Sequence, residues 1–176
     1  MLSTVHQPRP ADAAPGCLGW PNWRAPRCSS RVILTGVRFY LTPPDGTRPT
    51  VVVETCPLVN DAAIAELSAD IYGLSCPNGI LFDEHHCVIL RDTFASMDAS
   101  SVQVDAKLAT EDVLNRITAE GSLDHRVERW LEVLSASWDD ALSREPSIAA
   151  AFIPDIVSAA SGSSVYAVGS VASRAS

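Results

Sequence analysis

Apolar and polar positions in the first third of the chain follow a pattern typical of paired strands. The run RVILTGVRFYLT (residues 31–42) is rich in β-branched and aromatic residues, Pro-Pro-Asp-Gly at 43–46 supplies a turn, and PTVVVETC follows. We therefore predict a β-hairpin. Its second strand, residues 50–55, contains three consecutive valines, which is typical of a strand covered on both faces and so central in a sheet.

A helix and two further strands are predicted after Pro57. Asn60 can cap a helix whose apolar positions follow the three-and-four spacing of a buried face, and Gly73 offers a left-handed stop. Residues 80–82 and 87–91 are predicted strands joined by a short turn. The valine strand, this helix and the Ile80 strand would form a right-handed crossover, so we expect part of the sheet to be parallel.

The last third of the chain is predicted to be largely helical. We expect a short helix at 110–118, and a long one capped by Ser122 whose single apolar stripe places Trp130 and Trp138 in the core and reaches Leu142. A helical segment at 146–160 and a strand at 165–168 follow. The expected fold class is α/β, with a mixed sheet of about five strands and flanking helices.

Composition suggests one folded domain between two less regular ends. Residues 1–30 contain five of the 12 prolines, which predicts an extended arm. Residues 31–169 are predicted to form a single α/β domain. Residues 170–176 form a Ser/Ala-rich segment that we expect to be a flexible tail.

The net charge of the chain limits the classes of partner that it can bind. The formal charge is −8, with 21 acidic and 13 basic residues, which argues against general affinity for nucleic acid. The hairpin region is locally basic, however, so Arg38 and Arg48 could meet phosphates, or could be solvated and pair with the acidic helices. We expect no membrane partner and a cytoplasmic location, because no long apolar run or secretory signal is present.

Glu54 and Cys56 are the leading candidates for chemistry. They are two residues apart on a predicted strand, so both side chains leave the same face near its carboxyl end, where open α/β sheets bind ligands. Glu54 and Asp45 could supply oxygens to Mg²⁺ or Mn²⁺. Asp45 could instead be a hydrogen-bonding turn residue.

The histidines in the turn at residues 83–86 suggest two further roles, nucleophilic catalysis and zinc binding. Cys56 could be a nucleophile with His85 or His86 as its base, although a cysteine at the end of a buried strand is more often inert. The run His85-His86-Cys87, with Cys76, could bind zinc, but adjacent residues on a tight turn point apart.

The order of these elements over residues 31–92 resembles the PD-(D/E)xK, or restriction-endonuclease-like, superfamily. Its members have a hairpin whose second strand reads apolar-apolar-apolar-Glu-x-Lys, then a helix and a strand, as in PTVVVETCP, the Asn60 helix and NGILF. The run CVILRDTF and the Trp130 helix are similar to extensions in nuclease-like domains related to type I restriction subunits. The resemblance implies a restriction-endonuclease-like core in which an Asp and Glu54 hold the metal ion.

This resemblance also implies an impaired enzyme, because Cys56 replaces the lysine that helps to activate water. The expected function is therefore a nuclease-like domain with weak or absent cleavage, acting in nucleic-acid or mobile-element biology. The alternative is a non-enzymatic protein-interaction module that uses the acidic helices and the Pro-rich arm.

Overall fold

The computed structural model describes residues 36–117, 120–153 and 155–169. The predicted arm at 1–30 and the tail at 170–176 lie outside the described residues, so these domain boundaries stay predictions.

The described residues form an open mixed sheet of six strands with helices on both faces, which confirms the predicted α/β class and mixed sheet. The strands are β1 (Val37–Thr42), β2 (Val51–Thr55), β3 (Asn78–Phe82), β4 (His86–Asp92), β5 (Val102–Ala109) and β6 (Ser164–Gly169), in the order β5-β4-β3-β2-β1-β6. Neighbours are antiparallel except β2 and β3, which are parallel. The sixth strand is β5, which was not predicted.

The helices divide unequally between the two faces of the sheet. They are α1 (Asp61–Leu74), α2 (Thr110–Leu114), α3 (Leu123–Ala136), α4 (Trp138–Ala141), α5 (Pro146–Phe152) and α6 (Asp155–Ala160), with a short 3-10 helix at Ala99–Ser101. Helix α1 packs its buried residues against the Val52 and Leu81 side of the sheet. The later helices pack against the Val53 and Ile80 side. No helix within the described ranges is long and apolar enough to cross a membrane.

Helix α1 forms the predicted crossover between β2 and β3. The Asn60 side chain caps it by accepting a hydrogen bond from the Ala63 N–H at 2.9 Å. Its left-handed cap is Ser75, at φ 53°, rather than the predicted Gly73, because the helix continues to Leu74. The parallel register then places Val53 beside Ile80, so the valine strand is covered on both faces as expected.

The long helix predicted to reach Leu142 ends earlier. Helix α3 stops at Ala136, the backbone turns at Ser137, and the short α4 follows. Trp130 is fully buried, as predicted, but Trp138 is 42% exposed, so its predicted core position is wrong. The segment predicted as one helix at 146–160 is likewise two helices, α5 and α6.

Candidate functional site

Glu54 lies near the carboxyl end of β2, directly opposite Arg38 on β1. The glutamate is 4% exposed. Arg38 donates to its Oε2 from Nε at 3.0 Å and from Nη2 at 2.5 Å. The same guanidinium lies 2.7 Å, through Nη1, from Oδ2 of Asp70 on α1. Arg38 therefore binds two carboxylates on the face of the sheet that α1 covers.

The electrostatics of this cluster reflect its burial. Burial raises the pKa of the Glu54 carboxyl above its ordinary value, and the charge of Arg38 opposes only part of that rise. Burial alone would lower the pKa of Arg38, but Glu54 and Asp70 raise it, so the guanidinium stays charged. The Arg38 guanidinium therefore occupies Oε2 of the Glu54 carboxylate.

The structure does not bring Asp45 to Glu54. Asp45 lies in the connection between β1 and β2, beyond the Leu41–Val51 pair, whereas Glu54 pairs with Arg38 at the other end of the hairpin. Three residues along a strand span about 10 Å, which is too far for one ion to bind both carboxylates. These residues do not fit Mg²⁺ or Mn²⁺, and among the described residues no three His, Cys, Asp or Glu side chains form a metal-binding group.

Cys56 is buried at the end of β2 and is 5% exposed. Burial, together with the negative charge of Asp83, raises the pKa of its thiol to about 11. The thiol is therefore protonated at neutral pH and lacks the thiolate character of a nucleophile. Both candidate bases are exposed: His85 lies on the turn before β4, and His86 is the first residue of that strand.

Asp83 has a structural role that its sequence position did not reveal. Its buried carboxylate accepts hydrogen bonds from the backbone N–H groups of Val59 at 2.7 Å, His85 at 2.7 Å and His86 at 2.6 Å. Burial alone would raise the pKa of Asp83, but these bonds lower it below its ordinary value. Asp83 thus holds the β3–β4 turn to the segment after β2.

The suggested zinc ligands are not arranged around one point. His86 Nδ1 lies 3.2 Å from Asp83 Oδ1, and its side chain is exposed. Cys87 is fully buried in the cluster on the α3 side of the sheet, whereas Cys76 belongs to the cluster on the α1 side. The sheet separates the two thiols, so they cannot share a metal ion with the turn histidines.

A cavity of about 210 Å³ lies at the carboxyl ends of the parallel strands, where the sequence predicted a ligand crevice. Its lining includes Cys56, Glu84 and Asp124. The Thr55 hydroxyl donates to Asp124 Oδ1 at 2.5 Å, which ties α3 to the end of β2. The lining supplies acids and a protonated thiol but no nucleophile with an adjacent base.

The hairpin does not bring Arg38 and Arg48 together into one basic surface. Arg38 is occupied by Glu54 and Asp70. Arg48 is exposed in the β1–β2 connection, at the opposite end of β1 from Arg38. The two arginines predicted to meet nucleic acid are thus separated, and of the two only Arg48 is exposed.

Sequence reasoning missed that β6 is an outermost strand, with no described strand on its outer side. Among the described residues, helix α1 packs over β3, β4 and β5 and reaches β1 through the Arg38–Asp70 pair, whereas the same face of β6 stays exposed. There Tyr166 and Val168 of β6 are 57% and 55% exposed, and Tyr166 lies opposite Tyr40 of β1. We call Tyr166, Val168 and the outer backbone of β6 the β6 edge. Its sequence signal is the uncharged run SVYAVG.

Comparisons of this chain with protein-family models, with curated proteins and with solved structures return no match. The resemblance to PD-(D/E)xK enzymes therefore stays a prediction.

Proposed function

We propose that this chain is a non-enzymatic protein-interaction module that binds an extended segment of a partner protein along the β6 edge. The observation that carries this proposal is that β6 is an outermost strand of the sheet whose outer side pairs with no described strand. An unpaired row of backbone N–H and C=O groups is a template for an added strand.

The other outermost strand, β5, is protected in ways that β6 is not. Its sequence contains Asp105 and Lys107, and its pairing with β4 has a register shift at Ile89/Leu90. Charges and bulges are devices that prevent pairing at an edge. In contrast, β6 has no charged residue or proline, and it pairs with β1 over six consecutive residue pairs. A strand added to the sheet would therefore be expected at β6 and not at β5.

The state of the candidate catalytic groups supports a binding role. Glu54 is buried and engaged by Arg38, and burial keeps the Cys56 thiol protonated. Neither group is available to act as a base or nucleophile at neutral pH.

The test uses the full chain and a labelled neutral peptide that alternates Val and Thr and has the length of β6. Fluorescence anisotropy should show binding, and amide hydrogen exchange should slow across residues 164–169. A peptide N-methylated at alternate residues should not bind, because it lacks one row of backbone donors. Protection of β5 rather than β6, or equal binding of the methylated peptide, would contradict the proposal.

A matched pair of variants locates the contact. Tyr166→Ser should weaken binding about fivefold, since a cross-strand aromatic contact contributes about 1 kcal/mol. Tyr72→Ser, which removes a tyrosine from α1 that is 37% exposed, should leave the affinity unchanged. Equal affinity of the two variants would show that the peptide binds elsewhere.

A nuclease-like domain is a second proposal, favoured by one observation. The elements hairpin, crossover helix α1 and parallel strand β3 follow one another in the chain, which is the order that the resemblance implies, and Glu54 lies near the end of β2. If this proposal holds, a short duplex at low salt should bind more tightly with Mn²⁺, and Glu54→Gln should abolish the metal effect. Absence of any metal dependence would reject it.

A further inference from the structure

We infer that the partner segment alternates apolar and basic side chains, an inference that rests on the proposed binding at the β6 edge. Successive side chains of an added strand point to opposite faces of the sheet. The two faces beside β6 differ in chemistry, so each selects a different half of the partner's side chains.

On the face shared with α1, the exposed side chains of β6 are aromatic and aliphatic. Tyr166 and Val168 are exposed there, next to Tyr40 and Arg38 of β1. The Arg38 charge is already bound by Glu54 and Asp70. Partner side chains on this face would meet aromatic and aliphatic surface, which favours apolar residues.

The opposite face is bordered by α3, which packs over β2 and β6. At 3.6 residues per turn, Glu128, Glu132 and Ser135 fall within about 60° of one another on the helix. The other flank of α3 faces α2, because Arg126 donates to Glu111 there at 2.9 Å. Glu128 and Ser135 therefore lie on the flank that faces the β6 side of the sheet, with Glu132 between that flank and solvent. The Ser135 carbonyl accepts from the Gly162 N–H at 2.9 Å, just before β6.

This glutamate flank is only partly neutralised. Glu132 accepts from Arg129 at 2.8 Å in an exposed pair, and Glu128 lies 3.9 Å from His125 Nδ1. Between residues 36 and 169 the chain has 20 acidic and 8 basic side chains, a net of −12. Partner side chains on the α3 face would enter a negative potential, which favours Lys and Arg.

The same charge disfavours a second copy of this chain as the occupant. Two chains paired through β6 around a two-fold axis would place their α3 helices on the same face of the joined sheet. Their glutamate flanks would then approach each other and repel. A basic segment would instead be attracted to these glutamates.

The experiment compares three peptides of equal length that alternate Val with Lys, Thr or Glu, each titrated into the full chain. At low salt the Val/Lys peptide should bind about tenfold more tightly than the Val/Glu peptide, and the difference should largely disappear at about 1 M salt. Glu128→Gln combined with Glu132→Gln should reduce the preference severalfold. The control Asp139→Asn with Asp140→Asn, which removes the same charge from exposed positions on α4, should preserve it.

The outcomes separate the two proposals. Equal affinity for all three peptides, with slowed exchange at 164–169, would overturn the charge preference and leave the β6 edge as the binding site. Failure of every peptide to bind would overturn both. Sedimentation showing a dimer that Tyr166→Ser dissociates would replace the basic partner with a second copy of this chain.

Discussion

Replacing Arg38 with Met tests whether the Glu54 cluster is a buried ion pair. The substitution leaves the Glu54 carboxylate, 4% exposed, without the guanidinium that lies 2.5 Å away. Removing one partner of a buried pair costs about 3–5 kcal/mol. The Arg38 side chain is 25% exposed, so water can reach the vacated space, and we expect a loss of about 2–3 kcal/mol in the free energy of unfolding at neutral pH.

The loss should depend on pH in a definite direction. Burial already raises the pKa of Glu54 above its ordinary value of 4.5, and removing Arg38 raises it further. A carboxyl group whose pKa is higher in the folded state than in the unfolded state loses stability as pH rises through the folded pKa. The deficit of the variant should therefore be largest at neutral pH and should shrink as pH falls toward 4.5.

The assay is urea unfolding of the wild type, Arg38→Met, Glu54→Gln and the double variant at neutral and mildly acidic pH. The double variant should be more stable than the sum of the single effects predicts, with a coupling energy of at least about 1 kcal/mol. Arg129→Met is the control, because it removes an exposed pair with Glu132 and should cost less than about 0.5 kcal/mol. If Arg38→Met lost as little stability as Arg129→Met, and the loss did not depend on pH, the reasoning would be refuted.

Three further substitutions test the fold by urea unfolding. Asp83→Asn should cost about 1–3 kcal/mol at neutral pH; because the folded-state pKa of Asp83 is lowered, this cost should vanish as pH falls below its ordinary value of 3.8. Gly36→Ala would place a Cβ 1.5 Å from the Thr55 carbonyl oxygen and should cost at least about 1–3 kcal/mol, whereas Gly73→Ala, which has open space, should be neutral or stabilising. Trp130→Ala should cost about 3–5 kcal/mol, because this residue is fully buried. A small loss of stability in Trp130→Ala, or equal losses in Gly36→Ala and Gly73→Ala, would contradict the packing described above.

Elements with strong local signals were predictable from sequence. The three valines of β2 and the Asn60 cap of α1 each depend on residues close in the chain, and the structure has both. Strand β5 was missed even though VQVDAKLA alternates apolar and polar residues, because a largely exposed strand that contains small and charged residues gives a weak signal. The extension of α3 to Leu142 failed because apolar spacing continues across Ser137, where the chain turns.

The candidate site was less predictable than the fold. The sequence indicated that Glu54 and Cys56 leave one face at the end of a strand, which follows from the two-residue period. It did not show that Arg38 lies opposite Glu54, since this register depends on how the residues between β1 and β2 are accommodated. That pairing occupies the carboxylate and separates it from Asp45.

The sequence by itself determined the α/β class, the parallel crossover through α1 and the acidic character of the chain, because local periodicity and composition contain that information. Only the tertiary structure decided which strand ends the sheet, which face stays uncovered and which charges neutralise one another. Strand order and burial arise from contacts between distant residues, such as Tyr40 with Tyr166 and Arg38 with Asp70. No local pattern specifies those contacts.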